Sequence, residues 1–211
     1  MKLRAYGAWL GLVLLVSGCI SVRSYVDPTL PSVPKVTAAS LRKSDAPPLV
    51  DLQVAFLSNG TPNARGAEFA RKRMAARLDA SGIVRVAPSS ASASPYTLRI
   101  TMENLADTNS AFSRGFVTGL TFGLSGSSVT DFYVFDAALE RPGRAPVQLS
   151  LKHTITSLTG SGDGPPGQQA MHLEDAILRV LDELVDTMLR DFQAKGLLLP
   201  QGAAGRKAPS A

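Results

Sequence analysis

Among 211 residues there is one cysteine, Cys19, and there are two histidines, His153 and His172. A single cysteine excludes an intramolecular disulfide and any zinc cluster built on thiolates, and two histidines leave little material for a histidine metal centre. No G-x-S-x-G elbow occurs, so the usual setting of a hydrolytic serine is missing. Gly160-Ser161-Gly162-Asp163-Gly164 lacks the Lys-Ser/Thr of a phosphate loop and runs into Pro165-Pro166, which makes it a linker. His153 falls on an inward position of a strand pattern and His172 opens the final helix, so both read as structural. No enzyme activity, cofactor or metal is assigned.

Charge of one sign is scarce too. Lys and Arg number 22 against 17 Asp and Glu, a balance of +5. Lys2 and Arg4 belong to a leader segment, and removing them leaves +3. That is no nucleic-acid signature in the absence of a clustered basic motif. The apolar share of 45% is too high for a disordered chain. The apolar runs at 5–16 and 115–124 fall well short of the ~20 residues that span a bilayer core as a helix.

What is present is first of all an address. Lys2 and Arg4 precede an apolar stretch from Ala5 to Val16, which ends in Val16-Ser17-Gly18-Cys19. This run resembles the lipobox of bacterial lipoproteins, an aliphatic residue and two small ones before a modified cysteine. The resemblance implies cleavage after residue 18, a diacylglyceryl group on the Cys19 sulfur and usually an acylated new amino terminus. Cysteine suits that thioether because its thiolate is a strong nucleophile. Two or three acyl chains give a stable anchor, where one is marginal. Position 20 is Ile rather than Asp, which by resemblance to Gram-negative sorting rules favours the outer membrane.

Residues 19–48 carry Pro28, Pro31, Pro34, Pro47 and Pro48 and read as an extended tether. The alternative is a strand packed on the domain, because the stretch from Ser21 to Val26 alternates weakly. Residues 49–199 read as a single domain, and 200–211 as a disordered Gly/Ala/Pro-rich tail. Within the domain, Val50, Leu52, Val54 and Phe56 alternate as a half-buried strand. Ala67, Ala70, Met74 and Leu78 share a helix face stopped by Gly82. Further strands are expected at 83–86, at Tyr96–Met102, at Tyr133–Leu139 and at Val147–Ile155, the last two as an antiparallel hairpin. A long amphipathic helix carries Leu173, Ala176, Ile177, Val180, Leu181, Leu184, Val185, Met188 and Phe192 at helical spacing. Its carboxylates Glu174, Asp175, Asp182, Glu183, Asp186 and Asp191 read as a solvated face, with Asp175–Arg179 and Asp186–Arg190 as i,i+4 pairs. Arg71, Lys72, Arg73 and Arg77 could meet anionic headgroups, or form a wet helix face. The order β-α-β-β-β-β-α predicts an α+β fold. It is a two-layer sandwich with a mostly antiparallel sheet and both helices on one face.

Between two of the strands, Gly115, Gly119 and Gly123 are spaced by four, with Phe116, Leu120, Phe122 and Leu124 around them. On a helix these glycines would form one close-packing stripe, a device familiar in bilayers. One reading is an element that touches the membrane or docks a partner. The other is a glycine-rich connection over one sheet edge with its phenylalanines in the core, since glycine is a poor helix former.

The lipobox, the proline-rich tether, a helix ending in Ser81-Gly82-Ile83-Val84-Arg85-Val86 and the closing helix resemble small α+β envelope lipoproteins. Among these are transport-auxiliary lipoproteins and the amino-terminal modules of periplasmic assembly proteins. The resemblance implies a non-catalytic outer-membrane lipoprotein facing the periplasm. Its role would be accessory, in envelope assembly or transport, with the membrane and a protein or lipid component as partners. The alternative is a carrier holding an acyl chain between sheet and helices, which needs an apolar cavity of several hundred Å³. An enzyme would need a pocket joining a histidine to a carboxylate.

Overall fold

The computed structural model describes residues 22–32, 40–88, 96–106, 127–160 and 162–198. The chain runs through β1 (Val22–Val26), β2 (Leu49–Ser58), β3 (Thr61–Pro62), α1 (Ala64–Ser81), β4 (Arg85–Val86), β5 (Tyr96–Ala106), β6 (Ser127–Arg141), β7 (Arg144–Thr159) and α2 (Leu173–Ala194). Each boundary has a local cause. Asn63 caps α1 by accepting the Gly66 N–H at 2.8 Å, and Gly82 ends it in the left-handed conformation at φ +66°. Glu174 and Asp175 put negative charge on the first turn of α2, where the helix dipole favours it.

The strands form one mixed sheet in the order β1-β7-β6-β5-β2-β3, with β4 alongside β2. Among the described residues, four of the six strand pairings are antiparallel, and β2 pairs in parallel with β4 and β5. The parallel pairs follow from α1, which returns the chain to the starting end of β2. The expected elements are all present, although the strand foreseen at 83–86 is only Arg85–Val86. To them the structure adds β1 and the two-residue β3.

Register fixes which side is core. Leu52 lies opposite Leu98, Leu98 opposite Leu139, and Phe135 opposite both Met102 and Leu151. Because side chains alternate along a strand, these residues point to one face. There they meet Ala70, Met74 and Leu78 of α1 and Val180, Leu181, Leu184 and Met188 of α2 in one continuous core. Both helices therefore cover the same face, and no described helix covers the opposite face of β2, β5 and β6.

The tether expected at 19–48 is corrected at both of its described ends. Val22–Val26 pairs with the outer edge of β7, Tyr25 and Val26 are buried, and Leu41 belongs to the core. A bare β7 edge would expose a row of unpaired backbone groups, and β1 satisfies them. The edge of β1 is covered in turn by Met171, which exchanges two backbone hydrogen bonds of 2.9 Å with Ser24. Arg23 locks the arrangement by donating to the carbonyls of Gly160 (3.0 Å) and Gly162 (2.6 Å).

Candidate functional site

The apolar rows of the covered face give way to a polar one. One step beyond Met102, Phe135 and Leu151 stand Asn104, Tyr133 and His153, aligned side by side across three strands. His153 is fully buried. Its Nδ1 lies 3.0 Å from the Thr154 N–H and accepts from it, which assigns the ring proton to Nε2. Nε2 stands 3.1 Å from Glu183 Oε2 on α2, and Arg179 donates to Glu183 Oε1 at 2.8 Å. The partner follows from an inward-facing histidine. A buried polar ring needs an acceptor, and α2 supplies carboxylates beside its apolar stripe. That inward parity was the signal by which the pairing with Glu183 could have been found.

Two residues before Tyr133 on β6 stands Asp131. Burial pushes the Asp131 carboxyl above its ordinary value, while a hydrogen bond from Asn104 pulls the other way. Burial also pushes the Tyr133 phenol up, and the neighbouring Asp131 charge adds to the rise. Both shifts favour neutral side chains, as expected where solvation is lost.

A general base needs a nitrogen lone pair that reaches a substrate. In His153 one nitrogen accepts from the Thr154 N–H and the other faces Glu183, so the histidine and a carboxylate do meet, at a ring that is fully buried. Among the described residues no group of three or more His, Cys, Asp or Glu could hold a metal ion. No described helix is long and apolar enough to cross a membrane.

The charges of the two helices are corrected as well. Arg73 donates its Nε–H to Asp182 at 2.8 Å, and Arg77 grips Asp186 in the same two-pronged way, Nε to Oδ1 at 2.8 Å. Asp186 is 3% exposed and is no part of a solvated face. Arg179, expected to pair with Asp175, bonds Glu183. The cluster of Arg71, Lys72, Arg73 and Arg77 is thereby split, since two of its members are engaged with α2. These fork contacts knit α1 to α2.

On the open face a groove of about 390 Å³ is lined by Arg99, Thr101, Asp136, Ala138, Gln148 and Ser150 among others. Arg99 is already held by Glu140 (2.7 Å) and Gln53. The same face carries exposed Leu105 opposite exposed Phe132.

No protein-family model matches the chain, and no curated protein matches it. Solved structures do resemble it. Rare lipoprotein B from Shewanella oneidensis is 13% identical with a TM-score of 0.41, covering 71% of this chain and 96% of its own. A minor lipoprotein from Acinetobacter baumannii is 14% identical with a TM-score of 0.37, at 72% and 94% coverage. A PelC dodecamer from Paraburkholderia phytofirmans is 16% identical with a TM-score of 0.34, at 82% and 97%. Function has to be read from the chain's own residues.

Of those, Cys19 and the contact candidates Gly115, Phe116, Gly119, Leu120, Phe122, Gly123 and Leu124 lie outside the described residues. Their flanks do not. The described chain stops at Ala106 and resumes at Ser127, and Ser127 is opposite Thr159, which is opposite Val22. The described chain thus resumes after the glycine-spaced stretch, and begins after Cys19, at the same end of the sheet.

Proposed function

We propose that this chain is a non-catalytic lipoprotein of the bacterial outer membrane, anchored through acylated Cys19 and facing the periplasm. It binds a protein or lipid component of the envelope during assembly or transport. The observation that carries the reading is the run Val16-Ser17-Gly18-Cys19 behind a short basic and apolar leader. The closed hydrogen bonding of His153 supports a structural role for the residue best placed to do chemistry.

The test is a pair of measurements in a Gram-negative host. Mass analysis of the purified protein should show a diacylglyceryl adduct on Cys19, and C19A should be unprocessed or released from the membrane fraction. Crosslinking in intact cells, read by mass spectrometry, should then capture an envelope protein or lipopolysaccharide. An unmodified thiol on a protein free of the membrane would overturn the anchor. Turnover of a small-molecule substrate by the purified protein would overturn the non-catalytic role.

A further inference from the structure

We infer that the sheet face opposite the helices docks a second copy of this chain, face to face, about a two-fold axis running along β6. Phe132 and Val134 lie on that axis, and Glu103 of each copy meets Lys152 of the other. Strand pairing puts these residues on one surface. Glu103, Val134 and Lys152 stand side by side across β5, β6 and β7, and Leu105, Phe132 and Thr154 form the next row. All have the parity opposite to Met102, Phe135 and Leu151, so all point away from the helices. Leu105 is 39% exposed and Phe132 46%, two of the six large apolar side chains exposed among the described residues. Exposed apolar residues scattered singly need no explanation, but these two are paired across neighbouring strands, with half-buried Val134 beside them.

Charge selects a second copy as the occupant. Glu103 and Lys152 flank Val134 one strand away on either side, and neither takes part in an ion pair among the described residues. Facing sheets pack ~10 Å apart, a gap that a glutamate and a lysine bridge from opposite sides. A two-fold along β6 lays β5 of one copy over β7 of the other, so each Glu103 comes over a Lys152 and Phe132 meets its own counterpart. The contact is self-complementary, as a two-fold interface requires. An axis across the strands would set Glu103 against Glu103 and Lys152 against Lys152, which costs stability. Asp136 lies four residues from Phe132, ~13 Å along β6, where the ~30° crossing of packed sheets swings the two strands apart.

A shared membrane selects the same axis; this argument alone rests on the lipoprotein reading. Val22 follows three residues after Cys19 and begins β1. An axis along the strands puts both anchors at one level, and an axis across them puts the anchors at opposite ends. Four strands ~4.8 Å apart and about ten residues long present ~600 Å² from each copy, the low end for a specific interface. Confinement of both copies to one surface raises their effective concentration and favours so small a contact.

Crosslinking of introduced cysteines in membranes of the expressing host tests this. Cys19 is the sole native cysteine and is blocked once acylated, so each added thiol reports alone. With a short bismaleimide, V134C should link to its own copy, and K72C, exposed on α1, should not. E103C and K152C should give little product separately and a mixed dimer when expressed together. In the V134C background K152E should lower the dimer yield at least about fivefold, and adding E103K should restore it. Lys152 is the cleaner first change, because Glu103 also accepts the Gly60 N–H at 3.0 Å. Equal products from V134C and K72C, or none from V134C, overturn the dimer. E103C that links to itself and not to K152C overturns the axis. V134C linked to a different protein, identified by mass, means that another partner occupies the face and overturns it as well. Absence of acyl mass on Cys19 overturns the lipoprotein reading alone; the same charge swap, read as sedimentation mass, then decides the dimer.

Discussion

Arg77 of α1 holds Asp186 of α2 by two parallel hydrogen bonds, and the carboxylate is the more deeply buried partner, 4% exposed at the side chain against 26% for Arg77. One turn earlier on each helix the Arg73–Asp182 pair repeats the contact in a wetter setting, at 38% and 20%. Removing one partner of a buried pair leaves a charge without compensation, whereas an exposed pair is largely repaid by water. R77A should therefore cost about 2–3 kcal/mol and R73A at most about 1 kcal/mol in urea unfolding. Equal losses would show that burial of Asp186 does not govern the strength of the clamp.

Asp131 supplies a prediction in pH. Its folded carboxyl is raised above the ordinary 3.8, chiefly by burial. A raised folded value means that the group's favourable contribution is complete below about pH 3.8 and is lost as pH climbs through the folded value. At neutral pH the folded state thus carries the cost of a half-buried charge. D131N removes that cost, so its urea midpoint should exceed wild type near pH 7 and converge with it near pH 3. A variant that is no more stable than wild type at neutral pH would refute this.

Much of the fold was legible because β2, β5, β6 and β7 alternate with period two and α2 keeps a continuous apolar stripe. Val50, Leu98, Phe135 and Leu184 are buried where those periods place them. β1 escaped a firm reading because its neighbourhood is full of prolines and its alternation is weak. Its place depends on a long-range edge of β7 that no local pattern reveals. Asp182 and Asp186 misled for a related reason. Helical spacing puts them beside the apolar stripe, but it does not say that a second helix brings Arg73 and Arg77 to meet them. His153 is inward, as its strand parity predicts, yet its carboxylate lies 30 residues away on another element. The residues that carry the functional reading, above all Cys19, are legible only as a motif.

That β1 is part of the sheet can be tested at Ser24. Its N–H and carbonyl both bond Met171, and its hydroxyl lies 3.1 Å from the Ser157 hydroxyl. S24P deletes the donor, leaves the Met171 carbonyl without it and inserts a ring where the strand is paired on both sides. A loss of about 2 kcal/mol is expected, which for a domain of this size lowers Tm by ~4–8 °C. An unchanged melting temperature would mean that residues 22–26 contribute nothing to the folded domain.

The connection from β7 to α2 packs over Tyr25 at Gly164. A methyl group at Gly164 would stand 2.3 Å from Tyr25 Cζ and 2.4 Å from its Oη, inside any tolerable contact. Tyr25 is buried, so its ring has little freedom to swing away. G164A should cost about 1–3 kcal/mol, the usual range for overpacking. Gly162 provides the contrast, since a methyl there meets Leu158 at an ordinary 3.6 Å, and G162A should stay within about 0.5 kcal/mol of wild type. Leucine at position 25 lacks the ring atoms that collide, so G164A should cost far less in a Y25L background than alone. That non-additivity, measured as a double-mutant cycle, identifies the Tyr25 ring as the reason glycine is needed. Strictly additive losses would place the cause in the backbone of the connection instead.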